Sequence, residues 1–488
     1  MWERLEQHEL RRARRRGGGQ HPDRRPGSRP EPSRPAGTDL LPQIEHIVVL
    51  MMENHSYDNY FGMLQGRGDG FPIAADGEPA VWNQGTGGES VRAHHLHSTD
   101  QHPQAPSQSW HASHLQLGDG NCEGFVASTQ KVLPEADDAA AVGMGYWSGE
   151  DLRFYYGLAR TFPLCDRWFS SCMGPTFPNR RFLIAGTAHG LIDDLSIDLL
   201  DYPPAGTIFD MLTTYGISWV NYHPVAEDKS AARRYAHHKR RMARRRLLSL
   251  GRSVRTVTQG LQKDLQFTAD LFPLGLARYM QHVRSTDQFF ADADDGTLPG
   301  FSIVDPDFDN YSEENPQDIR KGESFAAEVI NRVMHGPGWP RTLLIWVYDE
   351  HGGYYDHVSP PAAIPPDDVP GRSLIGSPTR LQTLLRPLFP GMVHDAEKMT
   401  QGPHYYDQYG FRVPAVIVSP YARPDYVCSE VLDHTSVLRL VEQKWNLPAL
   451  TARDAAASAP LSALDLARPP AFLKVPSLPE PSLKWGTW

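Results

Sequence analysis

Three observations predict an α/β fold, a mostly parallel central sheet flanked by helices and carrying loop insertions. Three apolar runs, IEHIVVLMM at 44–52, TLLIWVYDE at 342–350 and RVPAVIVSPYA at 412–422, have the length of strands. Their apolarity is continuous rather than alternating, as strands covered on both faces require. Segments 149–161, 323–334 and 434–445 repeat apolar residues at three- and four-residue spacing, the mark of amphipathic helices. Strands and helices therefore alternate along the chain, which is the α/β pattern.

In chain order, residues 1–38 are rich in Arg, Pro and Gly and poor in apolar residues. Such a segment cannot offset the entropy of ordering, so a disordered arm is predicted. The arm holds ten arginines, including RRARRR at 11–16, but no apolar stretch follows them. A secretory signal is not supported, and a cytoplasmic address is the expectation. A twin-arginine leader also begins with paired arginines, so a reassigned start site would reopen export.

The folded domain is expected over 39–455, with insertions at about 226–262 and 359–403. A Pro-rich tail, 456–488, is expected to wrap the surface. Hydrophobic residues at 40% and charged residues at 22% of 488 fit a soluble globular chain, and 41 glycines with 42 prolines point to many loops. Cys122, Cys165, Cys172 and Cys428 show no CxxC or CxxH spacing. That excludes a zinc knuckle or a disulfide-dense scaffold and leaves buried thiols. No apolar run reaches the roughly 18 residues that a membrane-spanning helix needs.

The net charge of −10 is unevenly spread: +5 over 1–38, +11 over 229–255, and −26 over the remainder. A basic segment flanked by Leu247, Leu248 and Leu250 suits peripheral contact with an anionic membrane. Charge alone gives no case for specific nucleic-acid binding by so acidic a remainder.

In α/β sheets, ligands gather beyond the carboxyl ends of strands. The first run ends in Glu53 and Asn54, the second in Asp349, Glu350 and His351, and the third lies upstream of Asp433 and His434. Carboxylate and amide oxygens are the donors a hard divalent cation takes, although an isolated acidic pair also caps or turns a chain. The stretch SSCMGPTFPNRRFLIAGT at 170–187 predicts a turn at Gly174–Pro175 and a helix stopping at Gly186. Thr176 then lies at a helix N-terminus, where free N–H groups favour a phosphate or an ionised hydroxyl. A plain capping role is the competing reading.

Four segments together carry a resemblance: IEHIVVLMMENHSYDNYFG at 44–62, GPTFPNRRFLIAGT at 174–187, YDEHGGYYDHVSPP at 348–361, and YGFRVPAVIVSPYA with DHTSVLRLVEQKW within 409–445. In order and spacing they resemble the bacterial phosphoesterase family of phospholipases C and acid phosphatases, whose fold is similar to that of alkaline phosphatases. The resemblance implies a metal-dependent phosphoester hydrolase. It implies that Glu53, Asn54, Asp349 and Glu350, with Thr176, hold a divalent ion (Ca, Mg, Mn or Zn), and that Thr176 is the nucleophile, forming a phosphothreonine. It places His351 and His357 as site histidines and brings Asn179 and Arg180 within one turn of the nucleophile, where either is a candidate to touch phosphate and Arg180 equally a structural ion-pair partner.

Two positions depart from the pattern. Gln108, in Gln108-Ser109-Trp110, and Asn315, in Glu314-Asn315-Pro316-Gln317, stand where the family commonly has histidine. Neither residue titrates near neutrality, so a general acid must come from elsewhere, with His111, His114, His351 and His357 as candidates. A phospholipase C acting on phospholipid is the favoured expectation. A broad-specificity acid phosphatase and a catalytically impaired metal-binding or scaffold relative are the alternatives.

Overall fold

The computed structural model describes residues 25–103, 106–132, 139–194, 202–224, 268–272, 278–371 and 406–487. Its strands are β1 (His46–Met52), β2 (Trp82–Gln84), β3 (Ser90–Arg92), β4 (His94–His95), β5 (Gly145–Tyr146), β6 (Leu164–Cys165), β7 (Trp219–Tyr222), β8 (Val283–Arg284), β9 (Phe301–Val304), β10 (Thr342–Tyr348), β11 (Ala415–Val418) and β12 (Val427–Cys428). Eight of them form one sheet in the order β12-β6-β11-β10-β1-β9-β7-β8. β10, β1, β9, β7 and β8 run parallel as neighbours. Every residue of β10 and β9 is buried, and so is all of β1 beyond His46. The sheet is thus covered on both faces, as the continuous apolar runs require.

β11 is antiparallel to both β10 and β6. The third apolar run therefore points its carboxyl end away from the ends of β1 and β10. The chain returns through β12, parallel to β6, before it reaches Asp433 and His434.

Six helices matter for the site: α1 (Tyr57–Phe61), α2 (Trp110–Leu117), α3 (Arg153–Thr161), α4 (Thr176–Ala185), α5 (Ile319–His335) and α6 (Thr435–Trp445). Side-chain caps start several of them, with Ser56, Ser109 and Asp318 accepting from the first-turn N–H groups of α1, α2 and α5. α5 packs against α3 and β1, while α4 packs against α6.

Residues 25–38, expected within the disordered arm, instead run as an ordered strap along the end of α6. Asn446 closes that helix in the left-handed region. Its side-chain amide donates to the carbonyls of Glu31, Arg34 and Pro35 at 2.9, 3.0 and 3.1 Å, and its oxygen accepts from the Glu31 N–H at 2.8 Å. Together with backbone bonds from Gly27 N to Ala449 O, Ala449 N to Ser28 O and Gly37 N to Trp445 O, this side chain holds the strap without an apolar core of its own. Residues 1–24, the insertion at 226–262, the basic segment 229–255 and positions 372–403 of the second insertion lie outside the described residues.

The tail packs through aromatic rings: Phe472 lies 4.8 Å from Phe162, and Trp485 meets Tyr311 at 5.0 Å and Phe325 at 5.3 Å. All four cysteines are buried free thiols. Among the described residues no helix is long and apolar enough to cross a membrane.

Candidate active site

Three neighbouring parallel strands deliver the acids. Met52 is paired with Tyr348 and Leu50 with Val304, so the carboxyl ends of β1, β10 and β9 lie side by side. From these ends emerge Glu53 and Asn54, Asp349 and Glu350, and Asp305, all buried. Asn54 has φ 68°, a left-handed conformation that asparagine tolerates better than most residues. Gly352 crosses directly over it: a Cβ there would stand 1.9 Å from the Asn54 carbonyl oxygen. The glycine is required for the two loops to close on each other. Asp349 Oδ1 then accepts from the N–H groups of Glu350 at 2.8 Å and Asn54 at 3.3 Å.

Arg180 ties this cluster to α4. Its Nε donates to Asp349 Oδ2 at 2.8 Å, its Nη1 to Asp305 Oδ1 at 2.9 Å and Thr268 Oγ1 at 3.3 Å, and its Nη2 to the Met51 and Met52 carbonyls. Asn179 holds the preceding turn, with its amide nitrogen donating to the carbonyls of Cys172, Gly174 and Pro175. Either residue was a candidate to touch phosphate, with a structural ion pair the alternative for Arg180. Their hydrogen-bonding groups are committed to the scaffold, and buried ion pairing accounts for Arg180.

These bonds place Thr176 as the first residue of α4, with Pro175 in the capping position and no side-chain cap bond. The competing reading of Thr176 as a cap is therefore not what the helix shows. Gly186 ends α4 at φ 69°, its N–H bonded to the Phe182 carbonyl, as the glycine stop predicted. Asp194 Oδ1 accepts the Phe177 N–H, the amide next to Thr176, at 2.9 Å. Burial raises the Asp194 carboxyl to about 7.

Glu53 Oε2, Asn54 Oδ1 and Glu350 Oε1 are buried oxygens that accept no hydrogen bond. Burial, then the neighbouring Asp349 charge, pushes both glutamate carboxyls well above their usual range. Three open acceptors in a buried, acid-rich cluster are a poor arrangement for a protein alone and a good one for a hard cation. Among the described residues, no three His, Cys, Asp or Glu side chains are gathered at metal-binding spacing. The open oxygens come from two glutamates and an amide, so the donor chemistry fits a divalent ion while Asp349 is shared with Arg180.

The two predicted histidines have separate surroundings. His351 is buried, with its Nε2 2.7 Å from Gln116 Oε1 and its Nδ1 3.5 Å from Glu350 Oε2. Burial lowers its pKa to about 3, so the ring is neutral; Glu350 Oε2 is held instead by the Gly352 N–H at 2.7 Å. His357 sits with Asp58, its Nδ1 2.6 Å from Asp58 Oδ2. Burial pulls its pKa down, but the Asp58 carboxylate outweighs that and raises it.

Asn315 donates to the His102 carbonyl at 3.2 Å and to Tyr354 Oη at 3.1 Å. Gln108 is half-buried at the entry to α2, and its carbonyl accepts from Ser113 Oγ at 3.2 Å. The segment bearing it reaches the site through two contacts. A Cβ on Gly353 would stand 2.8 Å from Ser107 N, and one on Gly174 would stand 3.1 Å from the Trp110 ring.

Asp194, Asp305 and Gln116 were not predicted as site residues, whereas His434 was noted with Asp433 beyond the third apolar run. His434 Nε2 donates to the Asp349 carbonyl at 2.7 Å. Asp305 was detectable by the rule that found Glu53 and Asp349, since it ends the short apolar run FSIV.

The signature of the Phosphoesterase family matches residues 44–448. Phospholipase C B of Mycobacterium tuberculosis is 29% identical over 472 residues, 91% of this chain and 81% of that protein. Hemolytic phospholipase C of Pseudomonas aeruginosa is 29% identical over 84% of this chain and 54% of its own length. Non-specific phospholipase C6 of Arabidopsis thaliana is 26% identical over 84% and 70%.

Proposed function

This chain belongs to the phosphoesterase family and is a phosphoric ester hydrolase, and we propose that Thr176 is its nucleophile and phospholipid, cleaved as by a phospholipase C, its substrate. One observation carries the assignment of Thr176. It opens a buried ten-residue helix without capping it, one turn before an arginine bonded to Asp349. The phospholipid reading is supported by relatives named phospholipase C in two bacteria and a plant.

Glu53, Asn54, Asp349, Glu350 and the Thr176 hydroxyl would hold a divalent cation, of which Ca, Mg, Mn and Zn all suit the donors. Such an ion, when bound, lowers the pKa of a hydroxyl and neutralises phosphoryl charge. Thr176 Oγ attacks phosphorus in line, forming an Oγ–P bond as the bond to the departing alcohol breaks and that alcohol takes up a proton. Water then attacks the phosphothreonine, releasing the phosphate product and restoring the Thr176 hydroxyl. Asn179 and Arg180 hold the nucleophile's turn. The Gly352 N–H keeps Glu350 in place. His351 is neutral and committed to Gln116, and Asn315 is committed to Tyr354 and His102, so proton delivery falls to water or to the other candidate histidines, His111, His114 or His357.

Thr176→Ala is expected to abolish turnover of a chromogenic phosphoester while leaving the thermal melt unchanged; wild-type activity would reject the assignment. A panel of phosphatidylcholine, phosphatidylinositol, sphingomyelin and simple monoesters tests the substrate. Preference for the lipids is expected, and turnover of monoesters alone would make the protein a phosphatase. Bound metal without any hydrolysis would make it an impaired relative. Sedimentation with anionic liposomes, lost on deleting 229–255, is the expected sign of membrane contact.

A further inference from the structure

Away from the strand ends of the main sheet, β4, β5 and the segments that follow them carry a cluster that the proposed reaction does not use. β4 is fixed to β5 by backbone bonds, from the His94 N–H to the Met144 carbonyl at 3.1 Å and from the Leu96 N–H to the Tyr146 carbonyl at 2.9 Å. On this scaffold His95 Nδ1 and His97 Nδ1 face each other at 3.3 Å, with their rings at 84°. His95 Nε2 lies 2.8 Å from Asp151 Oδ2. The same oxygen accepts from Ser148 N at 2.8 Å and Ser148 Oγ at 3.0 Å, which fixes the carboxylate. His94 is turned aside, its Nδ1 3.1 Å from the Arg92 carbonyl.

The tautomer follows from these bonds. Asp151 accepts, so in the neutral His95 ring the proton is on Nε2 and the lone pair is on Nδ1, aimed at His97. A separation of 3.3 Å is long for a ring N–H to nitrogen hydrogen bond, whose usual distance is about 3.0 Å. It is also the distance between two imidazole nitrogens on one tetrahedral ion, about 3.3 Å for bonds of about 2.0–2.1 Å. A carboxylate on the far nitrogen is the outer partner that metal-bound histidines ordinarily have. His95 is half-buried and His97 exposed, so an ion and its completing waters can reach both.

We propose that His95 and His97 form a two-imidazole site for a divalent transition ion of the zinc type, with Asp151 orienting His95 and water filling the remaining positions. The site is separate from the oxygen-rich cluster at the strand ends. Its donors are nitrogens, so it selects a borderline ion over calcium or magnesium.

Equilibrium dialysis of the full chain against Zn2+ tests it. His97→Ala and His95→Ala are each expected to bind one equivalent fewer than the wild type. Asp151→Asn is expected to hold that equivalent at least about tenfold more weakly. His335→Ala, which removes an exposed histidine elsewhere, is expected to bind as the wild type does. Unchanged stoichiometry in His97→Ala, or an equal loss in His335→Ala, would overturn the proposal. Glu350→Gln is expected to keep the equivalent that His97→Ala loses, so failure of the catalytic reading and failure of this one give different results.

Discussion

The motifs ENHSYDNYFG at 53–62 and DEHGGYYDH at 349–357 each contribute to two buried acid clusters that lie only a few residues apart, and the clusters are finished differently. The later halves supply Asp58, Asp356 and His357, which close around Arg412. Its Nη2 donates to Asp58 at 3.0 Å, its Nε to Asp356 at 2.9 Å, and its Nη1 to the carbonyls of Asp69 and Asp166. Its guanidinium also lies 4.3 Å over the Tyr57 ring. The earlier halves supply Glu53, Asn54, Asp349 and Glu350, where Arg180 serves Asp349 and leaves three oxygens open. The Arg412 cluster carries all the cation it needs and is scaffold. In the other, Arg180 answers Asp349 alone, and the oxygens left open are those that fit the divalent cation proposed above.

Substitutions should separate the two clusters. At the open cluster, Thr176→Ala is expected to lower turnover about ten-thousand-fold or more without altering stability, while Thr176→Ser keeps activity. At the closed cluster, Arg412→Met leaves two carboxylates buried without their partner. A loss of about 3–5 kcal/mol is expected from urea unfolding. Glu350→Gln should do the reverse of Arg412→Met, with turnover falling about 10²–10³-fold and stability holding or rising. Chelation by EDTA should remove activity, and added divalent ions should restore it.

The smallest expected effect depends on pH. The folded-state pKa of His357 is raised, so protonating it stabilises the fold. That contribution is complete below the unfolded value of about 6.5 and is lost as pH rises through the folded value. The melting-temperature gap between wild type and His357→Gln should be widest at the acid end and close with rising pH. A gap that is constant or widens would show that Asp58 does not hold a charged His357.

Sequence patterns revealed the strands and the residue types at their ends, because burial on both faces and acids after apolar runs are local signals. β1, β10 and α4 were legible in this way. The direction of β11 was not, since a strand buried on both faces reads the same whichever way it runs. Partner choice was also hidden: Arg180 and Asp349 are 169 residues apart, and nothing near Arg180 tells phosphate from carboxylate. His351 and His357 were legible as residues of the DEHGGYYDH motif, while their partners, Gln116 and Asp58, come from distant segments. The ordered strap at 25–38 was missed because its anchors, the Asn446 side chain and the backbone of Trp445 and Ala449, come from the far end of the chain.

Acid quenching during turnover, followed by peptide mass analysis, tests the central claim most directly. A phosphoryl adduct is expected on the peptide containing Thr176, absent from Thr176→Ala and from enzyme without substrate. Steady turnover with no adduct at Thr176, together with activity retained in Thr176→Ala, would contradict it.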